Sequence, residues 1–190
     1  MSLLDTILGR TKPKRPELSA LFSLPAAAIT LETAAGLKTA GQAAVAFKEV
    51  SGGGFANVST DLDALLDLSA KQSHSKLSQS EDSYGYHWVV VSDPDLEDLV
   101  GTAHAVNSTL EEQGFGPQLL CSVFPFTGGN ETVNMVYLYK RGSFYPFAPS
   151  GKETRNNQLE LKIRALLEKE LPIEKDLARW YPLWGLPLGG

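Results

Sequence analysis

The sequence predicts an α+β protein: a mostly antiparallel sheet of about six strands in ββα units, with helices on one face. Paired runs with period-two alternation predict the sheet, the clearest being 118–126 and 132–140 around Thr127-Gly128-Gly129-Asn130. Stretches with apolar residues at helical spacing lie between such pairs, above all Leu96, Leu99, Val100, Ala103, Val106, Asn107 and Leu110. From Ala26 onward the order is roughly ββα, three times over, without enough internal similarity to form a sequence repeat.

The chain opens with a short helical turn, 2–9, placing Leu3, Leu4, Ile7 and Leu8 on one face, followed by Arg10, Lys12, Lys14 and Arg15. This composition marks residues 1–15 as an amphipathic basic arm. Pro16 suits the first turn of a second short helix, which reaches Leu24 and is expected to stop at Pro25. Ile29 and Leu31 then alternate with Thr30 and Glu32, and Val45 and Phe47 with Ala46 and Lys48, predicting a hairpin turned at Gly36 and Gly41. After the Ser51-Gly52-Gly53-Gly54 joint, Phe55, Val58, Leu62, Leu65 and Leu66 fall at helical spacing.

Residues 71–83 are polar and Ser-rich, an exposed connection or weak edge strand. Residues 84–91 carry Trp88 and Val90 on one side and Val89 and Val91 on the other, which predicts a central strand apolar on both faces. Asp93, Pro94 and Asp95 provide a cap and first turn for the Leu96–Leu110 stripe, and Gly114 ends it. Residues 134–147 pass from a strand into Lys140-Arg141-Gly142, after which Pro146 is expected to keep the strand from resuming. A last helix, 157–170, buries Leu159, Ile163, Leu166 and Leu167 and pairs Glu160 with Arg164. The expected organisation is an arm (1–15), one α+β domain (16–171) and a Trp/Pro-rich tail (172–190) docked on that domain.

Composition narrows the function classes. With 43% apolar and 21% charged residues the chain reads as globular rather than disordered, and its net charge of −5 disfavours nucleic acid. No stretch approaches the roughly 18–20 apolar residues of a membrane span. Basic residues follow rather than precede the opening apolar turn, unlike a secretory signal, and the single cysteine, Cys121, fits a reducing compartment. The expectation is a cytoplasmic protein, with peripheral contact at the inner face of the cell membrane through the arm.

Chemistry-bearing motifs are sparse. His74, His87 and His104 have no second His or Cys at ligand spacing, so no metal site is expected. Cys121 sits in an apolar strand, where cysteine behaves as a small hydrophobe. The glycines at 52–54 lack the spacing of a phosphate loop. Asp93, Asp95, Glu97 and Asp98 are explained by helix-start chemistry. No catalytic residue or cofactor is expected. The segment joining Tyr139, Lys140, Arg141, Phe144, Tyr145 and Phe147 has the aromatic and cationic composition of contact surfaces, and is the candidate partner-binding site.

Several motifs carry a resemblance to a known family. They are Leu3-Leu4-Asp5-x-x-Leu8-Gly9-Arg10, Arg15-Pro16-x-Leu18-x-Ala20-Leu21-Phe22, Tyr84-Gly85-Tyr86-x-Trp88, His104-Ala105-Val106-Asn107 and Gly114-Phe115-Gly116-Pro117-Gln118-Leu119-Leu120-Cys121. The blocks Tyr137–Phe147 and Leu171–Gly185 join them. Together they resemble the phage-shock-protein-A-associated family of the PspAB type. The resemblance implies a prokaryotic stress-response protein that accompanies a coiled-coil protein of the phage shock protein A type, with no activity or cofactor attached.

The leading expectation is therefore a non-enzymatic adaptor whose aromatic–basic segment meets a protein partner, with the arm adding membrane or partner contact. One competing expectation is a small enzyme or ligand binder with a pocket near Cys121, His87 or His104. Another is a structural homodimer built through a sheet edge or the tryptophan tail.

Overall fold

The structure, a computed structural model, describes residues 18–48, 64, 75–82 and 84–188. The expected arm 1–15, the joint at 51–54, nearly all of the expected helix 55–69, and His74 lie outside the described residues. A 3-10 turn, Ser19–Ser23, leads directly into helix α1, Leu24–Ala35. The expected strand around Ile29 and Leu31 is thus a helix, and Pro25 begins it rather than ending the one before. Proline fits the first turn, where its missing N–H would have no partner. Ala26, Ala27 and Ala28 follow, the residue type with the strongest helix preference. Gly36 closes the helix in the left-handed region at φ 69°, its N–H reaching the Glu32 carbonyl at 3.0 Å.

Seven strands form one antiparallel sheet, and the fold is α+β as expected. Along it run β3 (Lys76–Glu81), β4 (Tyr86–Ser92), β2 (Gln42–Lys48), β5 (Leu119–Gly128), β6 (Glu131–Leu138) and β7 (Ser143–Phe147), with β1 (Lys38–Thr39) also on β5. A separate two-stranded ribbon joins β8 (Pro149–Gly151) to β9 (Thr154–Arg155). The polar, Ser-rich β3 lies at an edge and the doubly apolar β4 is internal. Where the β5–β6 turn meets the end of α1, a Cβ on Gly128 would stand 2.1 Å from the Gly36 carbonyl oxygen, so only glycine fits.

Strand β7 corrects a second expectation. Pro146 lies within it, opposite Met135 of β6. Proline is tolerated here because β7 is the last strand of the ladder, where a missing N–H breaks no inter-strand pairing. Beyond β7 the described residues add a parallel bridge, Phe144 to Ile173.

Helix α2 (Leu96–Leu110) buries Leu99, Val100, Ala103, Val106, Asn107 and Leu110. Its cap is Asp95, which accepts from the N–H groups of Glu97 and Asp98, two residues later than expected. Asp93 instead accepts from the Asp95 N–H at 2.9 Å and from Ser75 Oγ at 2.7 Å, tying the helix start to the chain before β3. Helix α3 (Asn157–Leu167) is capped by Asn156 and buries Leu159, Ile163 and Leu167. Its Glu160 turns inward to Arg155 rather than along the helix to Arg164.

Strand alternation gives the sheet two apolar faces. Phe47, Val89, Val91, Phe124, Met135, Tyr137 and Phe144 face the three helices. Ala44, Ala46, Trp88, Val90, Cys121, Val123, Val136, Tyr145 and Phe147 face the other way, where Trp180 joins them and Leu183, Trp184, Leu186 and Leu188 pack against the cluster. The Tyr145 hydroxyl donates to the Tyr181 carbonyl at 2.8 Å, and Trp184 meets Phe147 edge-on at 5.0 Å.

Candidate interaction surface

The aromatic–basic segment is not a presented surface, and that expectation is corrected. Tyr139, Phe144 and Phe147 are fully buried and Tyr145 is 1% exposed. Period-two alternation sends Phe144 to the helix side and Tyr145 and Phe147 to the tail side, so the residues of one short segment serve two cores. Tyr139 meets the Ser122 hydroxyl, which Asn107 also approaches at 3.3 Å. Burial pushes the Tyr139 phenol well above its ordinary range, so it stays protonated. Only the two cations of the segment are exposed. Lys140 and Arg141 stand on the β6–β7 turn, and Arg141 is engaged by the Glu174 carboxylate.

The residues of the expected pocket do not come together either. Cys121 lies on the tail-covered face, 5% exposed, and burial pushes its thiol up to about 12. His87 stacks on Phe47 at 5.5 Å and His104 packs on Phe22 at 5.0 Å, both on the helix side. A cleft of about 770 Å³ opens elsewhere, lined by Gln42, Asp82, Thr127, Thr132, Asn134 and Trp184 among others. Its Asp82 is already engaged by Trp88 Nε1 at 2.9 Å and by the N–H groups of Tyr84 and Tyr86. Among the described residues no His, Cys, Asp and Glu side chains gather into a group able to hold a metal ion.

A different surface stands out on α1. The helix packs against both α2 and α3 and buries Leu24, Ala27 and Leu31 toward the sheet. At 100° per residue, Ala26, Ile29 and Thr33 fall together on the opposite side, and Phe22 stands one turn earlier, in the 3-10 turn, where one side of its ring meets His104 of α2. Phe22 is 54% exposed and Ile29 66%, and Ala26 and Thr33 are exposed beside them. The Thr33 hydroxyl donates back to the Ile29 carbonyl at 2.8 Å, which leaves its methyl as the outward group. No charge falls in this seam. Its neighbour Glu32 is paired with Lys38 at 2.8 Å. A helix apolar on both sides is expected to bury both.

Sequence reading missed this surface because a strand was expected there. The signal was present in Leu24–Ala35, a twelve-residue helix with Glu32 as its one charged residue.

With this geometry in view, comparison with known proteins places the chain. The family model described as PspAB, PspA associated protein B, matches residues 1–188. The chain belongs to this family. No curated protein and no solved structure matches it. No helix among the described residues is long and apolar enough to cross a membrane.

Proposed function

We propose that this member of the family is a non-enzymatic adaptor that binds a coiled-coil protein of the phage shock protein A type in a membrane-stress response. The observation that carries the reading is the outward seam of α1, where Phe22 and Ile29 stand more than half exposed. Exposed apolar side chains aligned on one helix face mark protein contact sites. The family description, which names association with PspA, supports a protein of that type as the partner. The amino-terminal arm, with Leu3, Leu4, Ile7 and Leu8 beside Arg10, Lys12, Lys14 and Arg15, adds peripheral contact at the inner membrane face.

Co-purification tests the reading. The tagged full chain, expressed with the phage shock protein A homologue of the same genome, retains that protein through washing. An Ile29→Glu variant with unchanged thermal unfolding retains markedly less. A wild-type chain that retains none contradicts the proposal.

A further inference from the structure

We infer that the α1 seam receives one amphipathic α-helix of the partner, whose apolar residues recur at alternating three- and four-residue intervals; this rests on the protein-binding reading above. Phe22, Ala26, Ile29 and Thr33 are separated by four, three and four residues. That is the spacing at which helices interlock, each large residue filling a hole between residues of the facing helix. Size alternates along the seam. Phe22 and Ile29 are knobs, while Ala26 and the Thr33 methyl leave hollows for knobs from the other side.

The chemistry of the seam separates a helix from other occupants. A β-strand docks through free backbone donors and acceptors, and those along α1 are spent within the helix. An anionic membrane needs a cationic rim. The rim here is the Glu32–Lys38 ion pair on one side and, on the other, Glu170, whose carboxylate accepts from the Thr30 hydroxyl at 2.8 Å. Two copies of the chain each carry a net −5, which opposes a symmetric self-contact. A partner helix with an apolar stripe and a lysine or arginine beside it meets both the seam and the Glu170 carboxylate at its margin.

The test uses the full chain and a synthetic helical peptide of about 25 residues with leucine at the interlocking positions and lysine beside them. Its binding is followed by amide chemical shifts. Perturbation confined to residues 19–35 is expected, and Ile29→Glu weakens binding by at least about tenfold because it sets a carboxylate in an apolar contact. Ala26→Leu is the sharper probe. It enlarges the apolar surface yet fills a hollow, so interlocking predicts weaker binding and mere stickiness predicts stronger.

Binding of Ala26→Leu equal to or tighter than wild type overturns the inference. So do shifts centred elsewhere, or self-association by sedimentation that Ile29→Glu abolishes. The adaptor reading fails separately. If the phage shock protein A homologue is captured equally by wild type and Ile29→Glu, the seam is wrong and the adaptor reading stands. If the peptide docks on α1 but the homologue is not captured, the seam stands and the named partner is wrong.

Discussion

Arg155 joins Glu160 to the carboxy-terminal tail. Its Nε donates to both Glu160 carboxylate oxygens at 2.9 and 3.0 Å, and its Nη1 donates to the Trp180 carbonyl at 2.7 Å. The guanidinium also lies over the Phe147 ring, 5.4 Å from its centre. Glu160 accepts from the Ala148 N–H as well, so one buried carboxylate ties the chain after β7 to α3 and, through Arg155, to β9 and the tail.

Removing the cation should therefore be costly. Arg155→Met leaves Glu160, whose side chain is 3% exposed, buried without its counter-charge. Loss of one partner from such a pair costs about 3–5 kcal/mol. Urea unfolding should show that loss, and the double variant with Glu160→Gln should recover part of it. Equal stability of Arg155→Met and wild type contradicts the assignment.

Phe144→Ala with Tyr145→Ala is a stability experiment rather than a binding experiment. Each ring is fully or almost fully buried, on opposite faces of the sheet. Truncating a core aromatic costs about 3–5 kcal/mol, and two such losses rival the 5–15 kcal/mol stability of a whole domain. Circular dichroism should find the double variant largely unfolded at 25 °C. A native spectrum with a wild-type melting curve would contradict the buried placement.

Cys121 should resist thiol reagents in the native protein. Burial both excludes the reagent and, by raising the thiol to about 12, keeps the reactive thiolate scarce near neutrality. Trp180→Ala opens the cover over this face and should accelerate labelling well before global unfolding. Fast labelling of the wild type would place Cys121 in a reactive setting that the structure does not show.

Acid should loosen the tail and the β3–β4 turn. Burial alone would raise the Glu174 carboxyl, but the Asp176 N–H and the Arg141 guanidinium outweigh it and hold the group below its ordinary 4.5. Asp82 behaves alike: burial would raise it, and bonds from Trp88 and the Tyr86 and Tyr84 N–H groups hold it below 3.8. A lowered folded value means stabilisation that is present above the ordinary value and lost as pH falls through the lowered one. The urea midpoint should thus drop as pH falls below about 4.5, and Glu174→Gln with Asp82→Asn should be weaker at neutral pH with a flatter acid profile. An acid profile identical in wild type and double variant contradicts this.

Much of the sheet was legible in the sequence because period-two runs and a glycine turn coincide there, as in β5 and β6, whereas the polar β3 left a connection and an edge strand both open. Helix α2 was legible because seven residues keep one spacing. Helix α1 was not. The Ile29-Thr30-Leu31-Glu32 stretch imitates strand alternation, and its outward Ile29 looks like a core residue when no neighbour is known. The Tyr139–Phe147 segment failed for the converse reason: rings beside cations have the composition of a contact surface, yet two faces of one sheet claimed them. Composition records which residues are apolar; topology decides which of them find cover.

The exposed seam of α1 is the proposed dock for a partner helix. Amide hydrogen exchange of the full chain, with and without the phage shock protein A homologue, addresses it most directly. Slowed exchange concentrated in residues 19–35, and absent in Ile29→Glu, is expected. Protection confined to other elements, with α1 exchanging as in the free protein, would contradict it.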